Sequence, residues 1–145
     1  MIGLLQRVSQ AEVSVAGKGI GKIGAGLLVL VGIEPQDIDS SVDKLLHKIL
    51  NYRVFEDEGG QMNHSLKQIE GGLLLVPQFT LAADTRKGLR PGFSTAASPA
   101  EGERLYNLLV AHAHTAHAEV GQGEFGADMR VSLVNEGPAT FILQV

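Results

Sequence analysis

Cysteine is absent from this chain of 145 residues, which excludes a disulfide framework, a thiol nucleophile and every cysteine-based zinc or iron–sulfur site. No apolar run reaches the roughly 18 residues that span a bilayer. The opening Met1-Ile-Gly-Leu-Leu-Gln-Arg-Val-Ser lacks the charged start and long apolar stretch of a signal peptide. A protein that neither enters nor crosses a membrane is expected, and a reducing cytoplasm suits the missing cysteines. Positive charge is also in deficit: the net charge of -4 argues against broad wrapping of nucleic acid, so any RNA contact must be local. Several hydrolase templates are missing as well. There is no G-x-S-x-G elbow, no H-E-x-x-H zinc helix and no Walker glycine-lysine loop.

What is present is enough apolar material, 44% of residues, to bury a core in one domain spanning 1–145 without a detachable linker. Apolar and polar residues tend to alternate over Ile2–Val8 and Glu12–Val15, the pattern of half-buried strands, with a turn expected at Gly17-Lys18-Gly19. Gly26–Ile33 and Gly72–Phe79 are continuous apolar runs, as in strands covered on both faces. Pro77 has no N–H to donate, so the second of these should end or bulge there. Helix spacing places Val42, Leu45, Leu46, Ile49 and Leu50 on one face, after a cap at Asp39 or Ser40. A second helix should start at Ser98-Pro99-Ala100-Glu101, with Ser98 as cap, Pro99 in the first turn and Glu101 completing a capping box. Its buried face continues through Leu105, Leu108, Leu109 and His112. Further strands are expected near Ala118–Val120, Arg130–Val134 and Thr140–Val145, the last two broken apart by Gly137-Pro138. This pattern predicts an α/β, strand-rich domain: two stacked sheets with helices covering one face, in β/β/α layers.

Few residues announce chemistry. His112, His114 and His117 gather near a helix end without a carboxylate at metal-ligand spacing, which reads as a polar helix terminus rather than a metal site. Gln78 and Thr80 emerge where a buried strand runs into a loop, Ala82–Ala97, that carries the basic cluster Arg86, Lys87 and Arg90. Taken alone, Thr80 is a plain β-former, because a threonine hydroxyl needs an adjacent base to become a nucleophile. Gly137-Pro138 taken alone is a turn. Its other reading is chemical: glycine has no side chain and proline no N–H, so the two carbonyl oxygens can approach a ligand closely and suit an ammonium group.

Taken together, Gln78-Phe79-Thr80-Leu81, Ala83-Asp84-Thr85-Arg86-Lys87-Gly88 with Arg90-Pro91, Phe125-Gly126-Ala127-Asp128-Met129, Val131-Ser132-Leu133-Val134-Asn135 and Gly137-Pro138 with Thr140 resemble the D-aminoacyl-tRNA deacylase family. Gln6-Arg7-Val8-Ser9, Phe55-Glu56-Asp57 and Met62-Asn63 match as well, so the resemblance runs from end to end. Two positions depart from it. Pro77 replaces a serine found in many members, although some bacterial members share the proline, and Gly92 stands where serine is frequent.

The resemblance implies a homodimer with active sites at the interface, acting on the 3′ end of aminoacyl-tRNA; the missing cysteines and the poor ligand spacing of the five histidines lead to the expectation of catalysis without metal or cofactor. It implies a cis Gly137–Pro138 bond that reaches into the partner's pocket. The reaction would be attack of water on the ester carbonyl, with backbone N–H groups around Phe79 and Thr80 holding the oxyanion and Gln78 shaping the pocket. The ribose 2′-hydroxyl would assist, since no general base is visible. The ammonium of a D-amino acid would face the oxygens of Gly137 and Pro138, while an L side chain would push its β-carbon into backbone and glycine would escape the filter. Arg86, Lys87 and Arg90 would meet phosphates or terminal nucleotides. The rival readings are an RNA-binding module without turnover, a small-molecule esterase or amidase using Thr80, and a plain structural dimer.

Overall fold

The computed structural model describes residues 1–145. Its backbone is organised by β1 (Ile2–Val15), which pairs along both edges. On one edge its first half pairs antiparallel with β3 (Gly26–Gly32) and its second half with β2 (Lys18–Ile23). On the other edge lies β8 (Met129–Gln144). Parallel pairs then join β3 to β6 (Gly72–Pro77) and β6 to β7 (Val120–Gln122). Beyond β7 the sheet has curled so far that β2 returns against it: a Cβ added at Gly21 would sit 2.7 Å from the Gln122 carbonyl oxygen.

The nearly closed sheet therefore stacks on itself. Alternate residues of β3 and β6 face opposite ways, as the period of two requires. Leu27, Val29, Val31, Leu73 and Leu75 join the larger core under the helices. Leu28, Leu74 and Val76 join Val8, Ala11, Val13 and Ile23 in a smaller core between the two sheet layers. This gives the expected β/β/α order. Residue 26 must be glycine for a packing reason, since a Cβ there would fall onto the carbonyl oxygen of Gly72.

Two long helices cover the outer face: α1 (Asp39–Asn51) and α3 (Pro99–Ala116). All five predicted stripe residues of α1 are buried, and burying side chains of that size is worth about 1.5–3 kcal/mol each. Between the helices lie a two-stranded hairpin, β4 (Arg53–Glu56) with β5 (Met62–Ser65), and one short turn of helix, α2 (Leu66–Ile69). No helix is long and apolar enough to cross a membrane.

Several expectations need correcting. The β1–β2 turn sits at Ala16 and Gly17, both at positive φ, so Lys18 and Gly19 already belong to β2. Neither Asp39 nor Ser40 caps α1: Ile38 is the cap residue and its N–H donates to the Ser41 hydroxyl at 3.2 Å, while the Asp39 carboxylate accepts from Arg104 of α3 at 2.8 Å. Ser98 does cap α3, but the Glu101 carboxylate turns to Arg104 instead of closing a capping box. His112 is half-exposed and bonded to Asp43 at 2.8 Å. β7 lies two residues later than expected. β6 ends at Pro77, as the missing N–H requires. Gly137-Pro138 does not end a strand, because β8 continues through it as a bulge, and no peptide bond in the chain is cis.

Candidate active site

The strand-end site begins where β6 stops. Gln78 N–H donates to the Val31 carbonyl oxygen at 2.7 Å, the last contact with β3. Gln78 then leaves strand geometry, and Phe79–Ala82 wind into a 3-10 turn. The first bond of that turn runs from Leu81 N–H to the Gln78 carbonyl oxygen at 3.1 Å. The N–H groups of Phe79 and Thr80 come ahead of it and have no partner within the turn. Both residues are exposed. The Gln78 side-chain amide donates to the Thr80 hydroxyl oxygen at 2.5 Å.

Beside these N–H groups opens a cavity of about 490 Å³. Gln78 and Phe79 stand on its lining with Val31, Val76 and Pro77 from the strands, Ile33 just after β3, Pro99 and Gly102 from α3, Phe125 from the segment leading into β8 and Met129 from the start of β8. The walls are mainly apolar, as befits a flat organic group. Phe125 and Met129 belong to a motif legible in the sequence, but nothing in their spacing marked them as cavity walls. A second depression, about 570 Å³, carries Glu103 and Glu124 beside Tyr106 and so disfavours an anionic ligand.

The loop after the turn is closed by two backbone bonds between Asp84 and Gly92, at 2.7 and 3.0 Å. The Phe79 and Phe93 rings pack across it with centroids 5.2 Å apart. Its exposed tip carries Arg86, Lys87 and Arg90. Arg86 forks onto Asp84 through Nε at 2.8 Å and Nη2 at 2.9 Å. That guanidinium holds the Asp84 carboxyl well below the usual carboxylate range, and Asp84 raises Arg86 in return.

Gly137 and Pro138 lie elsewhere. Gln6 pairs with Thr140 and Val8 with Asn135, so Glu136 to Ala139 bulge out with only Arg7 opposite them. Gly137 has φ +111°, a conformation that favours glycine. Arg7 anchors the bulge: buried in strand β1, it donates from Nε to the Glu136 carbonyl oxygen at 3.2 Å, from Nη1 to the Val54 carbonyl oxygen at 2.7 Å, and from Nη2 to Glu56 at 3.4 Å. The available signal for Arg7 was a charged residue in phase with Gly3 and Leu5, the buried positions of β1.

Within one chain the two segments are far apart in the sheet. The bulge faces the Gln6–Val8 part of β1, which pairs with the start of β3, and the start of β3 pairs with the start of β6. Gln78 follows the other end of β6, where Met129 and Val131 at the start of β8 line the same cavity, while Gly137 and Pro138 lie further along β8, opposite the start of β3. The cavity lining accordingly contains neither Gly137 nor Pro138. The three histidines also separate: His112 meets Asp43, His114 meets Gln122, and His117 meets the Gly71 carbonyl oxygen. No three His, Asp or Glu side chains converge as a metal site would need.

The family model for D-Tyr-tRNA(Tyr) deacylase matches residues 4–144. The chain belongs to this family. A D-aminoacyl-tRNA deacylase of Stutzerimonas stutzeri is 64% identical over 144 residues, covering 99% of each chain. One from Pseudomonas putida is 63% identical over 145 residues and covers both chains completely. Among solved structures, the c-Myc DNA Unwinding Element Binding Protein superposes with a TM-score of 0.95 at 36% identity, covering 100% of this chain and 99% of that one. A probable eukaryotic D-amino acid tRNA deacylase has a TM-score of 0.89 at 19% identity over 99% of this chain and 98% of the other, a likeness of fold alone. The deacylase family is one of hydrolases.

Proposed function

We propose that this protein hydrolyses the ester linking a D-amino acid to the 3′-terminal ribose of tRNA. The observation that carries this reading is the strand-end turn, whose Phe79 and Thr80 N–H groups have no partner within it, next to an apolar cavity lined by Gln78 and Phe79. The terminal adenine enters the cavity against Phe125 and Met129, which sets the ester at the strand end. Water attacks the carbonyl carbon, and the developing oxyanion takes hydrogen bonds from the two N–H groups. One such donor is worth about 2.7–4 kcal/mol of barrier. The tetrahedral adduct then collapses, the bond from carbon to the ribose oxygen breaks, and that oxygen gains a proton as free amino acid leaves.

Gln78 and Thr80 hydrogen-bond to each other and to no carboxylate or imidazole side chain, and Asp128, the one carboxylate on the cavity lining, is bonded to neither; in this reading the ribose 2′-hydroxyl assists the attacking water. Thr80 lacks the base that a nucleophilic role demands. Gln78 holds its hydroxyl in place as a positioning contact.

Selection by handedness belongs to Gly137 and Pro138 of a second copy. Their place at the far corner of the sheet, away from the cavity, supports a homodimer in which each bulge completes the other subunit's site. Val134 and Ile142 of β8, 46% and 68% exposed, offer apolar surface beside that bulge. The carbonyl oxygens receive the ammonium of a D-amino acid, and an L β-carbon meets backbone. Glycyl-tRNA, with no β-carbon, passes the filter. With the Gly137–Pro138 bond trans, the direction of these carbonyls rests on Arg7 and the bulge.

Deacylation of matched D- and L-tyrosyl-tRNA by the purified protein tests the reading. The D ester should disappear and the L ester persist. Binding of either tRNA without turnover would favour an RNA-binding module. Hydrolysis of a free D-tyrosine ester but not of the charged tRNA would favour a small-molecule esterase.

A further inference from the structure

The three cations of the loop are not equivalent. Asp84 Oδ1 accepts from the Arg86 backbone N–H at 3.0 Å and from Nε at 2.8 Å, and Oδ2 accepts from Nη2 at 2.9 Å. Two parallel N–H···O bonds are the geometry in which a guanidinium grips a carboxylate or a phosphate. The backbone of Asp84, bonded twice to Gly92, fixes the carboxylate at the base of the loop. No carboxylate stands within ion-pair distance of Lys87 or Arg90.

We propose that Asp84 occupies Arg86 as an intramolecular stand-in for phosphate, so that the loop offers RNA two free cations instead of three. This rests on the reading above that the loop meets the tRNA end. An RNA phosphate that took Arg86 would have to displace a carboxylate already seated in the fork and would then lie beside its negative charge. The exchange yields almost nothing, and Lys87 and Arg90 do the holding. A weak hold suits an enzyme that must sample charged tRNA and let the L-aminoacyl form go.

The test is the salt dependence of unacylated tRNA binding, as the slope of log Kd against log salt concentration. Two phosphate contacts on a single-stranded end give a slope of magnitude about 1.4, from about 0.7 per contact. Asp84→Asn keeps an acceptor for the Arg86 N–H but releases the guanidinium, so the slope should steepen by about 0.7 with a several-fold gain in affinity at low salt. The double variant Asp84→Asn/Arg86→Gln keeps the net charge together with Lys87 and Arg90, and its slope should equal that of the wild type. A flatter slope by about 0.7 in the double variant would make Arg86 a phosphate contact in the wild type and overturn the inference alone. Lys87→Gln/Arg90→Gln should abolish most of the salt dependence. If it changes nothing, the loop does not face RNA, and the reading beneath the inference fails with it. Thermal midpoints show that each variant is folded.

Discussion

Arg7 donates to the carbonyl oxygen of Glu136, 129 residues away, and so ties the centre of β1 to the bulge that presents Gly137 and Pro138. The same guanidinium also holds the Val54 carbonyl oxygen on the β4–β5 hairpin. Arg7→Ala would leave that buried carbonyl without its donor, at a cost of about 1–3 kcal/mol. Each kcal/mol lowers Tm by about 2–4 °C in a domain of this size. Arg7→Lys keeps the charge but not the fork, and it cannot reach both carbonyls. A lysine that keeps the buried Val54 carbonyl and gives up the part-buried Glu136 carbonyl should change the ratio of D- to L-tyrosyl-tRNA hydrolysis at a Tm above that of Arg7→Ala. If the lysine variant keeps wild-type enantioselectivity, Arg7 supports the fold without setting the filter.

Gly137 and Pro138 should respond differently to alanine. At φ +111° a side chain is strained, and the new Cβ would strike the Arg7 guanidinium. Gly137→Ala should therefore lose both stability, by about 1–3 kcal/mol, and activity. Pro138→Ala is the cleaner probe, because the bond before it is already trans and the loss of ring constraint costs about 0.4–1 kcal/mol. It should fold, yet hydrolyse D-tyrosyl-tRNA more slowly. Wild-type rates and enantioselectivity in a folded Pro138→Ala protein would reduce the pair to a surface bulge.

Where local pattern and tertiary packing agree, the fold was legible. The stripe Val42, Leu45, Leu46, Ile49 and Leu50 had the helical period, and the apolar runs at 26–32 and 72–77 are covered on both faces. The β4–β5 hairpin was not legible, because Arg53–Glu56 and Met62–Ser65 bury only Val54, Phe55 and Ser65 and show no sustained alternation. The α1 cap was not legible for a tertiary reason: Asp39 is drawn to Arg104, 65 residues away.

The candidate site divides along the same line. Pro77 ending β6 was a local inference. The Asp84-x-Arg86 pairing is local as well, a side chain reaching a backbone N–H two residues on. The continuity of β8 through Gly137-Pro138 depends on β1 pairing on either side of the bulge, which no window around the motif contains.

Tyr106 offers a test through pH. Its single hydroxyl proton is shared between the carbonyl oxygens of Leu75 and Gly123, at 3.0 and 3.1 Å, and the hydroxyl joins α3 to β6 at the second depression. Burial pushes its pKa well above that of an ordinary phenol, against a smaller opposite effect of the Gly123 bond. A folded-state pKa raised above the unfolded one gives stability that is complete below about pH 10 and is lost as pH rises from there toward the folded value. Tyr106→Phe should cost about 1–3 kcal/mol at neutral pH, for the unpaired Gly123 carbonyl. It should also decline less between pH 9 and about pH 11 than the wild type does. Equal alkaline slopes in denaturant titrations of the two proteins would show that Tyr106 is not the group responsible.

The sharpest test of the chemistry is Thr80→Ala. The Thr80 hydroxyl oxygen accepts from the Gln78 amide, which can donate a proton but cannot take one, so nothing at the strand end turns that hydroxyl into a nucleophile. If the Phe79 and Thr80 N–H groups carry the oxyanion, alanine at 80 leaves both donors in place and removes only a positioning contact. The expected loss in kcat is about 10-fold, the scale of one hydrogen bond, with the D-to-L preference retained. Loss of an essential nucleophile would instead cost about 10⁶-fold, as for a serine in a triad. A tRNA ending in 2′-deoxyadenosine separates the remaining possibilities. If the 2′-hydroxyl assists the attacking water, that substrate should bind normally and turn over slowly with wild type and Thr80→Ala alike. An acyl group trapped on Thr80, or full activity on the deoxy substrate together with collapse of the alanine variant, would transfer the chemistry from substrate to side chain and refute the mechanism.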